Sequence, residues 1–411
     1  MTARGTARAP GPVASRSRLL TLLSEACELE HGLLCSYLYA AFSLKQDLSE
    51  GGITWQQQQK VRWWAGQIYA VAAEEMLHLA QAWNLLAAIG GTPYYYRPGF
   101  PQPAAHYDLN LPLALTPFSE DTLMRFVMYE LPSRIDPLDM AREIGLAADQ
   151  SPTACDTTVG ELYASILESI DAIPETDLFL GSPERQIGQN VVDFPGIVRV
   201  KDRESATAAI EMIMGQGEGT QKDDLNCHFG MFLRLLADYR AERKAGGASF
   251  TPVRSVAHNP VTRLAGFEYH HGATLIEEPF ACATANYFNA IYDLMLRQLQ
   301  FAFSNSTECS DIVTRSAKHA IVAMTTVLKP IGEALMLLPV KAGGTLCAGP
   351  PFGLFRYVPL PPEIPIATRI VRERLAELVV EGNELCRDER APVYLRNAVR
   401  NLVAYVQADT P

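Results

Sequence analysis

Residues 68–89 carry one apolar stripe at helical spacing, made of Ile68, Val71, Ala72, Leu79, Ala82, Leu85, Leu86 and Ile89. Glu75 and His78 fall inside that stripe, one turn apart. Glu74 lies on its flank with Gln67, Ala70 and Gln81, where a solvated carboxylate costs little. Burying a glutamate beside a histidine is expensive unless something charged compensates. The helix must therefore pack its stripe against other helices and share its polar pair with a counter-charge.

The first long helical stretch repeats the anomaly. In "ACELEHGLLCSYLYAAF", Glu30 shares a face with Ala26, Leu33, Tyr37 and Ala41. Glu28 and His31 also form a Glu-x-x-His, but they point to other faces and read as ordinary polar neighbours. One helix giving Glu30 and another giving Glu75-x-x-His78 is half of a carboxylate-bridged dimetal site. The i, i+3 spacing brings both side chains of the second helix over one turn, so they can meet the same ion. Two divalent ions want several carboxylate oxygens and an imidazole each, so about two more glutamates and one more histidine are needed.

Candidates for the rest follow along the chain. Glu161, in "TVGELYASILESI", sits at the edge of the face made by Val159, Leu162, Tyr163, Ile166 and Ile170. A glutamate at a helix start is also what the helix dipole favours, so that reading stays beside the metal one. Glu130 is the rival, sharing a stripe with Leu123, Phe126 and Val127. In the fourth segment His228 joins Leu225, Phe229, Phe232, Leu235 and Leu236. Glu218, between Gly217 and Gly219, precedes it by ten residues, about 15 Å along an unbroken helix and too far to share an ion. The glycines permit a break that would fold the two together; Glu211 is the conservative alternative. His106, His258, His270, His271 and His319 have no helical partner carboxylate and read as loop or surface residues, with His270-His271 placed to line an entrance.

The coarse organisation is helical almost throughout. Helices are predicted near 17–44, 54–90 (stopped by Gly90-Gly91), 119–131, 157–173, 203–216, 223–243, 283–304, 310–338, 364–384 and 391–407. Residues 92–118, rich in Pro and Tyr, form an ordered crossover. We read residues 1–16 as a disordered tail, 17–245 as a metal-binding bundle and 246–411 as a helical extension packed on it. The fold class is all-α, a four-helix bundle with additional long C-terminal helices. A net charge of −11 argues against nucleic acid as a partner. No stretch reads as a membrane span or signal peptide. Eight cysteines without a CxxC pair indicate neither a disulfide framework nor a zinc ribbon, so the cytoplasm is the expected compartment.

The stretches "LEHGLLCSYLYAAFSLK", "AAEEMLHLAQAWNLLAAIGGTP", "VGELYASI", "QGEGT", "CHFGMFLRL" and "AGPPF" occur in this order. Together they resemble the ferritin-like family of iminophenyl-pyruvate dimer synthase, whose related domains occur in imine-coupling enzymes of the violacein and indolocarbazole pathways. The similarity spans most of residues 17–360. It implies a ferritin-like bundle with a non-haem iron site, working on amino-acid-derived substrates in specialised metabolism. Carried over residue by residue, it supports Glu30, Glu75, His78, Glu161, Glu218 and His228 as ligands. Those coupling enzymes are much longer chains, so the coupling of two imines is not carried over.

The leading expectation is a di-iron oxidase or oxygenase. Two iron ions would be held by the four glutamates, with His78 and His228 as terminal ligands and dioxygen or peroxide as oxidant. Tyr37 is the catalytic candidate, tuning the site by a hydrogen bond or donating an electron, with aromatic packing as the plain alternative. The expected substrate is a small aromatic or amino-acid-derived molecule reached past Tyr94-Tyr95-Tyr96, and a homo-oligomer is compatible. Iron storage and a non-catalytic scaffold are the competing readings. A storage subunit, however, needs only one compact bundle.

Overall fold

Ser15 opens the first helix, α1 (Arg16–Ser43), by accepting a hydrogen bond from the Arg18 amide. Thr54 and Gln57 make a capping box that starts α2 (Trp55–Ala88). That helix ends where Gly90 takes a left-handed φ of 87°. The Gly91 and Gly90 amides then reach back to the Leu86 and Ala87 carbonyls at 2.8 and 3.2 Å, which is the reason for the paired glycines. The computed structural model describes residues 15–102, 107, 112–147, 158–189, 191–192, 194–217, 219, 226–264, 272–305 and 310–408. Most of the expected tail, together with His106, Glu218, His270 and His271, lies outside the described residues.

After the crossover come α3 (Glu120–Tyr129), α4 (Pro137–Ile144), α5 (Val159–Ala172), α6 (Glu175–Leu178), α7 (Arg203–Gly217) and α8 (His228–Gly246). The periodicity did not suggest α4, because eight residues hold barely two turns. Its ends are nonetheless written in the sequence: Asp136 caps it, Pro137 occupies its first position and Gly145 leaves it in the left-handed region. The fourth segment starts later than expected, at His228, where Cys227 caps the helix.

α1 and α2 pack along one another as two sides of a bundle. The other sides are each shared by shorter helices, α3 lying along α8 and α5 along α7 and α1. Asn84 and Gln81 of α2 hold the irregular 187–198 segment against the bundle through the Ile187 and Val198 backbone. Arg254 ties the end of α1 to later chain, donating to Glu50 at 2.6 and 2.9 Å and to the Phe42 carbonyl at 2.8 Å.

A short parallel pairing, Pro260 with Thr274 and Val261 with Leu275, precedes the C-terminal helices. These are α9 (Pro279–Asn305), α10 (Ser310–Ala323), α11 (Lys329–Leu335), α12 (Ile364–Leu385) and α13 (Val393–Ala408). The single helix expected over 310–338 is interrupted by a π-helical turn, Met324–Leu328, just before Pro330, which has no amide hydrogen to continue a regular ladder. α9 packs on α10, α12 and α11 and reaches α2. The hydrophobic core runs without a break from Leu19 to Leu402.

Candidate metal centre

Two buried triads share one carboxylate. Glu30, Glu75 and His78 offer ligand atoms within 4.8 Å of one another, and so do Glu75, Glu130 and His228. Each of these five side chains is at least nine-tenths buried. α1 contributes Glu30, α2 Glu75 and His78, the C-terminal end of α3 Glu130, and the first residue of α8 His228.

Glu75 faces both ways. Its Oε2 lies 3.1 Å from His78 Nδ1, and its Oε1 lies 3.0 Å from His228 Nδ1. Glu30 Oε2 and Glu130 Oε2 complete the two sides, each 3.5 Å from the nearer imidazole nitrogen. The ring centroids of His78 and His228 stand 5.5 Å apart, with the planes inclined at 29°.

Four of the five ligand candidates are held from behind. His78 Nε2 donates to Gln216 Oε1 at 2.9 Å, and His228 Nε2 donates to Glu74 Oε2 at 2.7 Å. With Nε2 engaged, both rings turn Nδ1 toward the carboxylates, the arrangement by which metal-ligating histidines are oriented. Tyr163 of α5 donates to Glu30 Oε1 at 2.6 Å. Tyr37 donates to Glu130 Oε1, its ring wedged between Phe126 and Phe232.

The electrostatics are those of a crowded acidic pocket. Burial, and then the charge of Glu75, pushes the Glu30 carboxyl up to about 7. Burial works against charge on His78, but Glu75 and Glu30 outweigh it and hold the imidazole up at about 10. His228 is likewise raised against its burial, chiefly by Glu130. Burial and the adjoining carboxylates raise Tyr37 and Tyr163, so both phenols keep their protons.

A cation fits this geometry better than protein groups alone. Glu75 Oε1 and His228 Nδ1 are buried, lie 3.0 Å apart, and make no aligned hydrogen bond. A buried ion pair so poorly aligned is costly for a bare protein and ordinary for two ligands of one ion. Carboxylate oxygens with imidazole nitrogens are a donor set for first-row divalent metals. A cavity of about 20 Å³ opens beside the donors, bordered by Leu33, Val159, Ile213 and Gly217, enough for one water-sized molecule. Gly217 borders that space, and a Cβ there would make an ordinary contact with Glu130 Oε2 at 3.4 Å.

Of the sequence candidates, the structure brings Glu30, Glu75, His78 and His228 together and sets Tyr37 against the cluster. Glu161 is a correction. It is exposed at the start of α5, where its side chain accepts from the Thr158 amide at 2.8 Å as half of a capping box. Glu130, the rival, stands in the cluster instead. Glu211 is exposed on α7. Glu74, expected to be merely solvated, supports His228. Tyr163 and Gln216 were not singled out, although Tyr163 belongs to the packing face that the periodicity identified. The chain does break between α7 and α8, with Gly219 at a φ of 77°.

The ferritin-like family matches residues 23–237, more than half of the chain and all of the cluster. This chain belongs to the ferritin-like family. Among its relatives, 2-imino-3-(indol-3-yl)propanoate dimerase of Chromobacterium violaceum is 30% identical over 83% of this chain and 34% of its own length. Dichlorochromopyrrolate synthase of Lentzea aerocolonigenes is 26% identical over 90% of this chain and 39% of its own length. This ferritin-like chain thus spans between a third and two-fifths of the curated relatives it matches. A ferritin-like protein from Caulobacter vibrioides superimposes with a TM-score of 0.48 at 18% identity, over 84% of this chain and 100% of that one; so loose a likeness carries nothing about the site. No helix among the described residues is long and apolar enough to cross a membrane.

Proposed function

We propose that this ferritin-like chain is a di-iron oxidase or oxygenase acting on a small aromatic or amino-acid-derived molecule in specialised metabolism. The observation that carries the proposal is Glu75, which presents one oxygen to each of two buried carboxylate–histidine triads. Glu30 and His78 would hold one ion, and Glu130 and His228 the other. Three carboxylates against two divalent ions leave one positive charge, which the Glu74 carboxylate behind His228 faces; Glu218, outside the described residues, is the further carboxylate candidate. Bound iron would supply the redox chemistry that activates dioxygen or peroxide.

The chain's own residues do the rest. Tyr163 holds a proton against Glu30 Oε1, and Tyr37 holds one against Glu130 Oε1. These two phenols fix which carboxylate oxygens remain free to face the ions. Gln216 and Glu74 fix the imidazole rings. The buried walls exclude bulk water and leave room beside the donors for one small ligand. A catalytic reading fits the relatives better than storage does, since their names describe a dimerase and a synthase. The substrates of those longer proteins, an indolic imine among them, set the chemical class in which to look.

The test is to load the protein with iron in air and measure two quantities. An enzyme keeps a small fixed iron load and consumes oxygen or peroxide in proportion to an added aromatic imino or amino acid. A particle that grows in size and fills with mineral would overturn the proposal in favour of storage.

A further inference from the structure

A second, much larger space lies between the bundle and the C-terminal helices. It measures about 480 Å³. It faces a side of α1 and α2 turned about a quarter revolution from the carboxylates, and no residue lines both spaces. Leu34 and Leu38 of α1 and Trp83 of α2 form one wall, with Phe288 and Leu299 of α9 opposite. Ala73, Thr325 and Lys329 border it at positions that reach solvent.

The wall chemistry defines what fits. Besides aliphatic groups, the lining holds aromatic rings at Trp83, Phe194, Phe288, Phe303 and Phe352 and the thioethers of Met76, Met295 and Met324. Thioethers adapt to irregular shapes and make favourable contacts with rings. The polar groups that reach the lining have partners, except the Tyr69 hydroxyl, which is buried without a hydrogen-bond partner and can donate to a neutral acceptor on a ligand. His31 Nδ1 donates to the Tyr95 carbonyl at 2.9 Å, so its Nε2 accepts from the Tyr292 hydroxyl, which is also near the Arg97 guanidinium at 3.4 Å. At the rim Lys329 is paired with Glu333 at 2.8 Å. Nothing in the lining therefore asks for a charge.

An apolar void of this size is costly if left empty, because its lining forfeits dispersion contacts in proportion to the lost volume. A dry cavity of about 150 Å³ is known to accept benzene, so this one has room for roughly three such rings. The π-helical turn Met324–Leu328 contributes three residues to the lining, and such turns recur at functional sites.

We propose that this cavity is a binding site for one uncharged, fused or linked aromatic small molecule, distinct from the metal centre. The site is built by the C-terminal helices against α1 and α2, which gives those helices a role that the ferritin-like bundle alone does not supply. It does not rest on the metal-centre reading.

The probe for the test is 1-aminoanthracene, a neutral fluorescent polycycle, titrated into the full chain. Saturable fluorescence enhancement at one probe per chain is expected, unchanged after metal is removed by chelation. Leu299→Trp, on α9 and outside the metal cluster, fills the space and should weaken binding by about tenfold or more. Met295→Trp, a second filling variant, should do the same, with the helical circular dichroism spectrum and metal load of each variant confirming a native fold. Absence of saturable binding by the wild type, or native-like affinity in both folded variants, would overturn the proposal. So would tighter binding of cis-parinaric acid than of 1-aminoanthracene, because an aliphatic chain would then be the ligand class. Loss of probe binding on chelation alone would show that the cavity is not distinct from the metal centre.

Discussion

Replacing Glu75 by glutamine should empty both halves of the centre at once while leaving the metal-free fold close to its original stability. Among the described residues Glu75 alone belongs to both triads, so no neighbouring carboxylate can take over its position between them. The amide keeps the shape of the side chain but offers one neutral oxygen and one N–H group, and the latter must turn toward one of the histidines. In the metal-free wild type, the three cluster carboxylates when ionised, with Glu74 behind His228, face two raised imidazoles; in the variant one of these carboxylates is gone. The rise of Glu30 from 4.5 to about 7 represents on the order of 3 kcal/mol withheld from the metal-free fold. That penalty is absent below 4.5, grows as the pH rises, and is complete above about 7. Burial is its first cause and persists in the variant, so only the part due to Glu75 is relieved. His78 loses the carboxylate that contributes most to raising it, and His228 loses a partner that helps to raise it, each with some stabilisation. These losses oppose the relief at Glu30, and the net effect should stay within about 1 kcal/mol, roughly one degree in Tm for a chain of this length. The metal-bound wild type, by contrast, should gain about 4 kcal/mol when free metal exceeds Kd a thousandfold, and the variant almost none of it. Scanning calorimetry with and without a chelator, beside metal analysis of each sample, measures both quantities. A Glu75→Gln protein that still holds two ions per chain would refute the bridging assignment, and a wild type insensitive to chelation would refute the centre itself.

Two further outcomes follow from the same geometry. Glu161→Ala should lose only capping energy, about 0.5–1 kcal/mol, and keep its full metal load, whereas Glu130→Ala should lose metal from the side that His228 serves; equal metal loss in the two variants, read by metal analysis, would contradict the placement. Metal affinity of the metal-free protein should fall as the pH is lowered, because raised imidazoles at His78 and His228 and the raised carboxyl of Glu30 must give up protons to the ion. Titration calorimetry in buffers of different ionisation enthalpy should show net proton release near pH 7, and uptake or no exchange would contradict it.

What the sequence by itself determined is what helical periodicity can carry. Glu30 and Tyr37 on one stripe, and Glu75 and His78 on another, follow from 100° per residue and from the cost of burying charge, and the stop at Gly90-Gly91 follows from backbone conformation. The same local reasoning contained the correct account of Glu161. Thr158-Val159-Gly160-Glu161 is a capping-box sequence, although the need for a further carboxylate and the resemblance to a family both point this residue toward the metal. Tertiary structure decided everything that depends on where a helix ends in space. Glu130 reaches the centre because α3 stops one residue before it, and His228 because Cys227 caps α8 there and starts the helix at that histidine. Glu74 supports His228 across 154 residues of chain, a partnership no spacing rule encodes. The apolar cavity belongs to the same class of fact: its walls come from α1, α2, α9 and the π-helical turn, each of which separately reads as an ordinary packing face. A stripe shows which side of a helix avoids water, but only the docking of several stripes determines whether they close into solid core, enclose a pair of ions, or leave room for a ligand.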